Sequence, residues 1–94
     1  MPILIQNARL VTATSDTPGD LYAADEHITK IASPGTIDPA SLPDDTTVLD
    51  AAGKLLMPGF IDPHVHIHLP FMGTNAKDDP ATASRAALVG GTTT

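Results

Sequence analysis

Three histidines alternate along the chain at His64, His66 and His68, after an apolar stretch that begins at Phe60 and before a turn rich in proline and glycine. In an extended chain, residues two apart project from the same side, so we expect these imidazoles to share one face. Imidazole is the commonest protein ligand of catalytic divalent metals, and two on one strand can hold an ion from one side. The spacing therefore predicts a metal site.

The element expected to carry these histidines is a strand over residues 60–67. Residues 60, 62, 64, 66 and 68 would face one way, and the mostly apolar residues between them would pack on surrounding helices. Pro63 conflicts with this expectation, because proline removes a donor from the hydrogen-bond ladder of a central strand.

A short helix is predicted over residues 81–89. Asp79 precedes Pro80 and can cap the helix, and Gly90-Gly91 supplies a left-handed stop before a second β-prone segment at residues 92–94. Strand, helix and second strand in this order are typical of a parallel βαβ unit, which needs further strands beside it. We therefore expect the chain to be the N-terminal piece of a larger protein.

The residues before 55 have a different pattern, in which short apolar runs alternate with turn formers. This pattern predicts a small antiparallel sheet with hairpin turns at residues 6–8 and 25–27. The candidate strands are residues 3–5, 9–12, 21–24, 28–32 and 47–50. Residues 33–46 contain three prolines and three aspartates, which predicts an irregular surface loop.

Composition excludes several classes of function. The formal charge of −6 argues against a nucleic-acid partner, which would require clustered Lys and Arg. The chain has no cysteine, and no apolar run approaches the length of a membrane span. We expect a cytoplasmic protein with no membrane partner.

The segment Phe60-Ile-Asp-Pro-His-Val-His66, together with residues 50–59 before it, resembles the start of the barrel in the metal-dependent amidohydrolase superfamily. Residues 68–74 and 84–94 are similar to the hydantoinase and dihydropyrimidinase branch in particular. The resemblance implies an α/β fold: a (β/α)8 TIM-type barrel preceded by a small β-sandwich. Residues 1–54 would form the N-terminal part of the sandwich, and residues 55–94 would form the first strand, loop and helix of the barrel and the start of its second strand.

The resemblance also implies the site. His64 and His66 would be the metal ligands. Asp62 lies two positions before His64, and we expect it to support the ligands by hydrogen bonding, as metal ligands usually require. Leu69, Phe71 and Met72 would contact the substrate. The family uses two divalent ions, usually zinc, bridged by a carbamylated lysine that would lie outside this chain, as would the catalytic aspartate. No catalytic residue is therefore expected within the 94 residues.

The implied activity is hydrolytic opening of cyclic amides or imides, such as dihydropyrimidines and hydantoins, by a homotetramer, and the 94 residues alone should be inactive. Dihydroorotases carry an arginine where this chain has His68, which disfavours that assignment without removing it. His68 itself is expected to be a rim residue rather than a ligand. Allantoinase, a non-catalytic dihydropyrimidinase-related adaptor and a free-standing β module stay open as alternatives.

Overall fold

The computed structural model describes residues 1–94, and the chain divides into two compact units, Met1–Pro58 and Gly59–Thr94. The predicted domain boundary was at residue 54, whereas the observed boundary follows Pro58. The two differ because Leu55 and Leu56 pair with a strand of the first unit. Residues 55–58 therefore belong with the sheet, not with the histidine segment.

The first unit is a five-stranded sheet. Its strands are β1 (Ile3–Val11), β2 (Asp16–Ala24), β3 (His27–Ala32), β4 (Thr47–Asp50) and β5 (Leu55–Leu56). They lie in the order β3-β2-β1-β4, and β5 also pairs with β1. The predicted strands at residues 21–24, 28–32 and 47–50 are confirmed, although β2 begins five residues before the predicted strand.

The predicted hairpin turn at residues 6–8 is wrong, because β1 runs continuously through it. Asn7 has a φ of 55°, and the register of β1 against β2 shifts between Ile5 and Ala8. The local turn chemistry of Asn7 therefore produces a bulge inside a strand. The bulge is stabilised on both sides, since the Asn7 N–H donates to Asp20 Oδ1 at 2.9 Å and its carbonyl accepts from the Gly53 N–H at 2.8 Å.

The sheet is mixed, which corrects the prediction of an antiparallel one. β1 is antiparallel to β2, but it is parallel to β4 and β5. A parallel pair cannot be joined by a tight hairpin and needs a longer crossing segment. Residues 33–46 serve as that segment between β3 and β4. The predicted second turn is confirmed, since Asp25 and Glu26 both have positive φ and connect β2 to β3.

The core of the first unit is small, with Leu4, Ala8 and Ile37 as its buried apolar residues. Ile37 lies in the segment predicted as a surface loop, which also contains a 3₁₀ turn at Pro39–Ser41. Asp20 is fully buried as well, and its second carboxylate oxygen accepts the Gly35 N–H at 2.8 Å. Asp20 thus joins the bulge in β1 to the crossing segment.

The second unit contains the helix α1 (Pro80–Val89), in agreement with the prediction. Asp79 caps it by accepting the Thr82 N–H at 2.8 Å, and the Thr82 hydroxyl accepts the Asp79 N–H at 3.0 Å. The Thr82 hydroxyl also donates to Asp79 Oδ1 at 3.0 Å. The two hydrogen bonds to the carboxylate lower the pKa of Asp79, first that from the Thr82 N–H and then that from the Thr82 hydroxyl. Gly91, with a φ of 85°, takes the left-handed conformation that follows the helix. At ten residues, α1 falls well short of a membrane span.

The predicted strand over residues 60–67 is wrong in extent. Only Phe60 makes a bridge, which is parallel and pairs with Thr92. Its N–H donates to the Gly91 carbonyl and the Asp62 N–H to the Thr94 carbonyl, both at 2.8 Å. Asp62 is the last residue of this segment held by the pairing, and its partner Thr94 is the last of the 94 residues. The order of strand, helix and parallel strand is observed at this single bridge, and the complete barrel stays a prediction.

A short hairpin follows the histidines in place of the predicted loop. It consists of β6 (Pro70–Phe71) and β7 (Thr74–Asn75), joined by Met72 and Gly73, both at positive φ. This combination of φ values is typical of a two-residue hairpin turn, in which glycine is favoured. Two-residue strands are too short to show a pattern in the sequence, so the hairpin was not predicted.

Candidate metal centre

The structure brings His64 and His66 together. Their Nε2 atoms lie 2.8 Å apart, with the ring centroids separated by 4.8 Å and the ring planes inclined by 51°. At this distance one Nε2 donates a hydrogen to the other, which accepts it with its lone pair. Both side chains are exposed. The two nitrogens therefore converge on one accessible point, as predicted, even though no regular strand carries them.

A turn precedes this pair and interrupts the predicted strand. Asp62 Oδ1 accepts the His64 N–H at 3.1 Å across Pro63, which is the hydrogen bond of an Asx turn. Asp62 is itself fixed by its N–H, which donates to the Thr94 carbonyl. The conflict between Pro63 and a central strand thus disappears, because the chain leaves the ladder at that residue.

The two imidazoles fit a divalent metal as part of its ligand set. Zinc to imidazole nitrogen distances are about 2.0–2.1 Å, so two ligands of a tetrahedral site stand about 3.3 Å apart. The observed separation of 2.8 Å between the Nε2 atoms is half an ångström shorter, which a small ring rotation removes. No group of three or more His, Cys, Asp or Glu side chains in the chain could surround one ion. A metal held by the pair would need further ligands to complete its coordination sphere.

His68 does not join the pair. It has a φ of 52°, and its N–H donates to the Asp78 carbonyl at 3.2 Å, which places it at the base of the β6–β7 hairpin. The strand alternation that would have aimed it at His64 and His66 is absent. His27, the fourth histidine, lies in the first unit, where its Nδ1 is 2.6 Å from the Asp25 carbonyl.

The predicted substrate-contacting residues lie on or beside the hairpin. Leu69 is 41% exposed, Phe71 63% and Met72 88%, with Met72 in the turn. The Ala76 N–H donates to the Leu69 carbonyl at 2.9 Å, so the hairpin is closed at its base. No hydrogen bond joins the hairpin to the histidine pair. The structure therefore presents an accessible apolar surface on this element.

A cleft of about 330 Å³ lies between the histidine segment and α1. Val65 and Ile67 line one side, and Ala83, Ala87 and Leu88 of α1 line the other, which agrees with the prediction that the residues between the histidines face a helix. Asp62 also lines this cleft, although we expected it to face the same way as the histidines. The departure from an extended strand at Pro63 accounts for the difference.

The chain is similar to known cyclic amide hydrolases along nearly its whole length. It is 42% identical to the dihydropyrimidinase of Arabidopsis thaliana over 97% of the chain and 16% of that relative. A dihydroorotase from Clostridium botulinum is 41% identical over 99% of the chain and 21% of the relative. The solved structure of a Thermus sp. D-hydantoinase (dihydropyrimidinase) aligns with a TM-score of 0.83 and 52% identity, over 97% of the chain and 19% of that structure. No family model matches.

These similarities confirm the resemblance seen in the sequence. The chain is a relative of dihydropyrimidinases and D-hydantoinases, the branch of the amidohydrolases that the sequence resembles. It spans about one fifth of the length of these relatives. This coverage confirms that the chain corresponds to part of a longer family protein.

Proposed function

We propose that the protein containing this chain opens cyclic amide rings by hydrolysis, and that His64 and His66 are ligands of its metal centre. The observation that carries this proposal is the convergence of the two Nε2 atoms, 2.8 Å apart on an exposed surface. The dihydropyrimidinase and hydantoinase relatives support the reaction class, since both names describe hydrolysis of small cyclic amides or imides.

The proposed metal centre holds two divalent ions, with zinc as the expected metal and a carbamylated lysine outside this chain as the bridge. The bound ions would polarise the ring carbonyl and lower the pKa of the attacking water. The part played by this chain is to hold two neutral imidazoles with their Nε2 lone pairs directed at one point. Each imidazole must then carry its hydrogen on Nδ1, so metal binding has to break the mutual Nε2 hydrogen bond.

The substrate is proposed to be an uncharged ring such as a dihydropyrimidine or a hydantoin. Leu69, Phe71 and Met72 would contact the ring substituent, because an exposed apolar cluster favours an apolar group over a charged one. Because the chain is also similar to a dihydroorotase, dihydroorotate is one of the substrates to be tested. Dihydroorotate carries a carboxylate. His68 is a weaker anchor for that carboxylate than the arginine that dihydroorotases carry at this position.

The remaining expectations concern the whole protein. We propose a homotetramer that works in the cytoplasm, with no nucleic-acid or membrane partner. The net charge of −6 supports the absence of a nucleic-acid partner, since phosphate binding requires clustered positive charge. The isolated 94 residues are expected to be inactive, because they lack a third ligand group.

The test is ring opening by the intact zinc-loaded protein, measured on dihydrouracil, hydantoin, a hydantoin with an apolar substituent and dihydroorotate. We expect turnover of the first three and little or none of dihydroorotate. His64→Ala and His66→Ala should each lower kcat/KM by more than about 100-fold, since partners that merely orient ligands are worth 10–100-fold.

His27→Ala is the matched control, because it removes an exposed imidazole from the other unit. It should leave kcat/KM unchanged. Full turnover in the His64→Ala and His66→Ala variants would overturn the ligand assignment. Absence of ring opening on all four substrates would overturn the proposed reaction.

A further inference from the structure

We propose that Asp62 is a positioning residue for the metal centre: its carboxylate oxygen holds the His64 backbone so that the two imidazoles converge. The proposal rests on the proposed function, because it assumes that His64 and His66 bind a metal. It goes beyond that function by naming Asp62 as the residue that brings the two imidazoles into position. The relevant contact is the 3.1 Å hydrogen bond from the His64 N–H to Asp62 Oδ1.

Asp62 is well placed because it is fixed on its other side. Its N–H donates to the Thr94 carbonyl at 2.8 Å, next to the bridge between Phe60 and Thr92. The residue is therefore the last one held by the parallel pairing, and its side chain is the first contact beyond it. Asp62 therefore links the backbone N–H of His64 to the pairing of residues 60–62 with residues 91–94.

Pro63 favours this side-chain hydrogen bond. Its ring nitrogen carries no N–H, so no backbone donor at residue 63 can fix the turn between Asp62 and His64. Its ring also restricts φ, which limits the conformations the turn can adopt. An acceptor from a side chain is then what fixes the next N–H, and aspartate and asparagine are the residues that supply it at this spacing.

The geometry argues against a direct ligand role for Asp62. The carboxylate accepts a backbone N–H, the residue lines the cleft together with Val65 and Ile67, and no third group joins the two imidazoles. Asp62 therefore acts through His64. Ligand orientation by hydrogen-bonded partners typically contributes 10–100-fold to metal affinity.

The experiment measures zinc affinity of the intact protein by competition with a chromophoric chelator. Asp62→Ala removes the acceptor and should weaken zinc binding by at least about 10-fold. Asp62→Asn keeps an oxygen at the same place without the charge and should bind zinc within about threefold of the parent protein. If the asparagine variant keeps its zinc affinity, the hydrogen bond of Asp62 is responsible for the effect and its negative charge is not.

Asp78→Ala is the matched control. It removes one carboxylate from the same unit, and the Asp78 side chain makes no hydrogen bond while its carbonyl is kept. Zinc affinity should be unchanged. The urea midpoint of each variant shows whether an altered affinity comes from unfolding, and we expect Asp62→Asn to have the midpoint of the parent.

Each outcome decides between the two proposals. Parental affinity in Asp62→Ala, with binding lost in His64→Ala, would overturn the positioning role and leave the metal centre standing. Equal weakening in the alanine and asparagine variants would also overturn it, because charge would then be the cause. Absence of zinc binding in the parent protein would overturn the metal centre, and the positioning role with it.

Discussion

At the scale of single residues, the imidazole pair lies directly after a turn. The Nε2 atoms of His64 and His66 meet, and Asp62 and Pro63 form an Asx turn just before them. Residue type and spacing were sufficient to predict that the pair would meet. They were not sufficient to predict that an Asx turn at residues 62–64 would interrupt the strand before the pair.

Single residues also show what a pattern of polar and apolar residues cannot predict. Asp20 is fully buried and accepts the N–H groups of Asn7 and Gly35. Its partners are 13 and 15 residues away, so the contacts depend on tertiary structure. Aspartate in a strand is normally exposed, and nothing in the local sequence distinguished Asp20 from the solvated acids.

We expect Asp20→Ala to lower the free energy of unfolding of the first unit by about 2–5 kcal/mol, because two buried N–H donors lose a charged acceptor. Urea unfolding of the parent and the variant measures the difference. Asp44→Ala is the control, since Asp44 is exposed in the segment between β3 and β4 and its backbone does not have a positive φ. A change below about 1 kcal/mol in Asp20→Ala would contradict the role assigned to the buried carboxylate.

At the scale of elements, a prediction from the sequence succeeded where the residues that determine the element are close together in the chain. The helix α1 was predicted well because its cap, its first-turn proline and its glycine stop are neighbours in sequence. The bulge at Asn7 was mistaken for a hairpin turn because both use an asparagine at positive φ. What distinguishes them is the partner strand, and the parallel pairing of β1 with β4 and β5 cannot be seen in either strand alone.

The helix cap gives a prediction for the dependence of stability on pH. Hydrogen bonds from Thr82 lower the pKa of Asp79 below its usual value of about 4. A carboxyl group whose pKa is lower in the folded state stabilises that state above its unfolded pKa, and the contribution disappears as pH falls through the folded pKa. Helix content should therefore decrease as the pH is lowered from about 5 toward 2.

Circular dichroism of the parent and of Asp79→Ala measures this dependence. The alanine variant should have less helix at pH 6 and should lose less of it on acidification, because the titrating cap is absent. Identical acid profiles for the two proteins would show that Asp79 does not couple helix stability to pH.

At the scale of the whole molecule, the chain combines a mixed sheet with a second unit that carries His64, His66 and His68, and it spans about one fifth of the length of its relatives. Its buried apolar residues are few, and Ile28 and Ile31 on β3 remain 63% and 60% exposed. Short patterns along the chain predicted most of the strands, but they could not predict the parallel pairing of β1 with β4, because these strands are far apart in sequence.

The central claim is that His64 and His66, and not the other two histidines, form the metal-binding pair. Zinc titration of the ¹⁵N-labelled chain, followed through the ring nitrogens of all four histidines, tests it directly. We predict that the Nε2 signals of His64 and His66 shift together at the lowest zinc concentrations, while those of His27 and His68 shift only at higher zinc concentrations. A shift of His27 or His68 at the same or a lower zinc concentration than the pair would contradict this assignment.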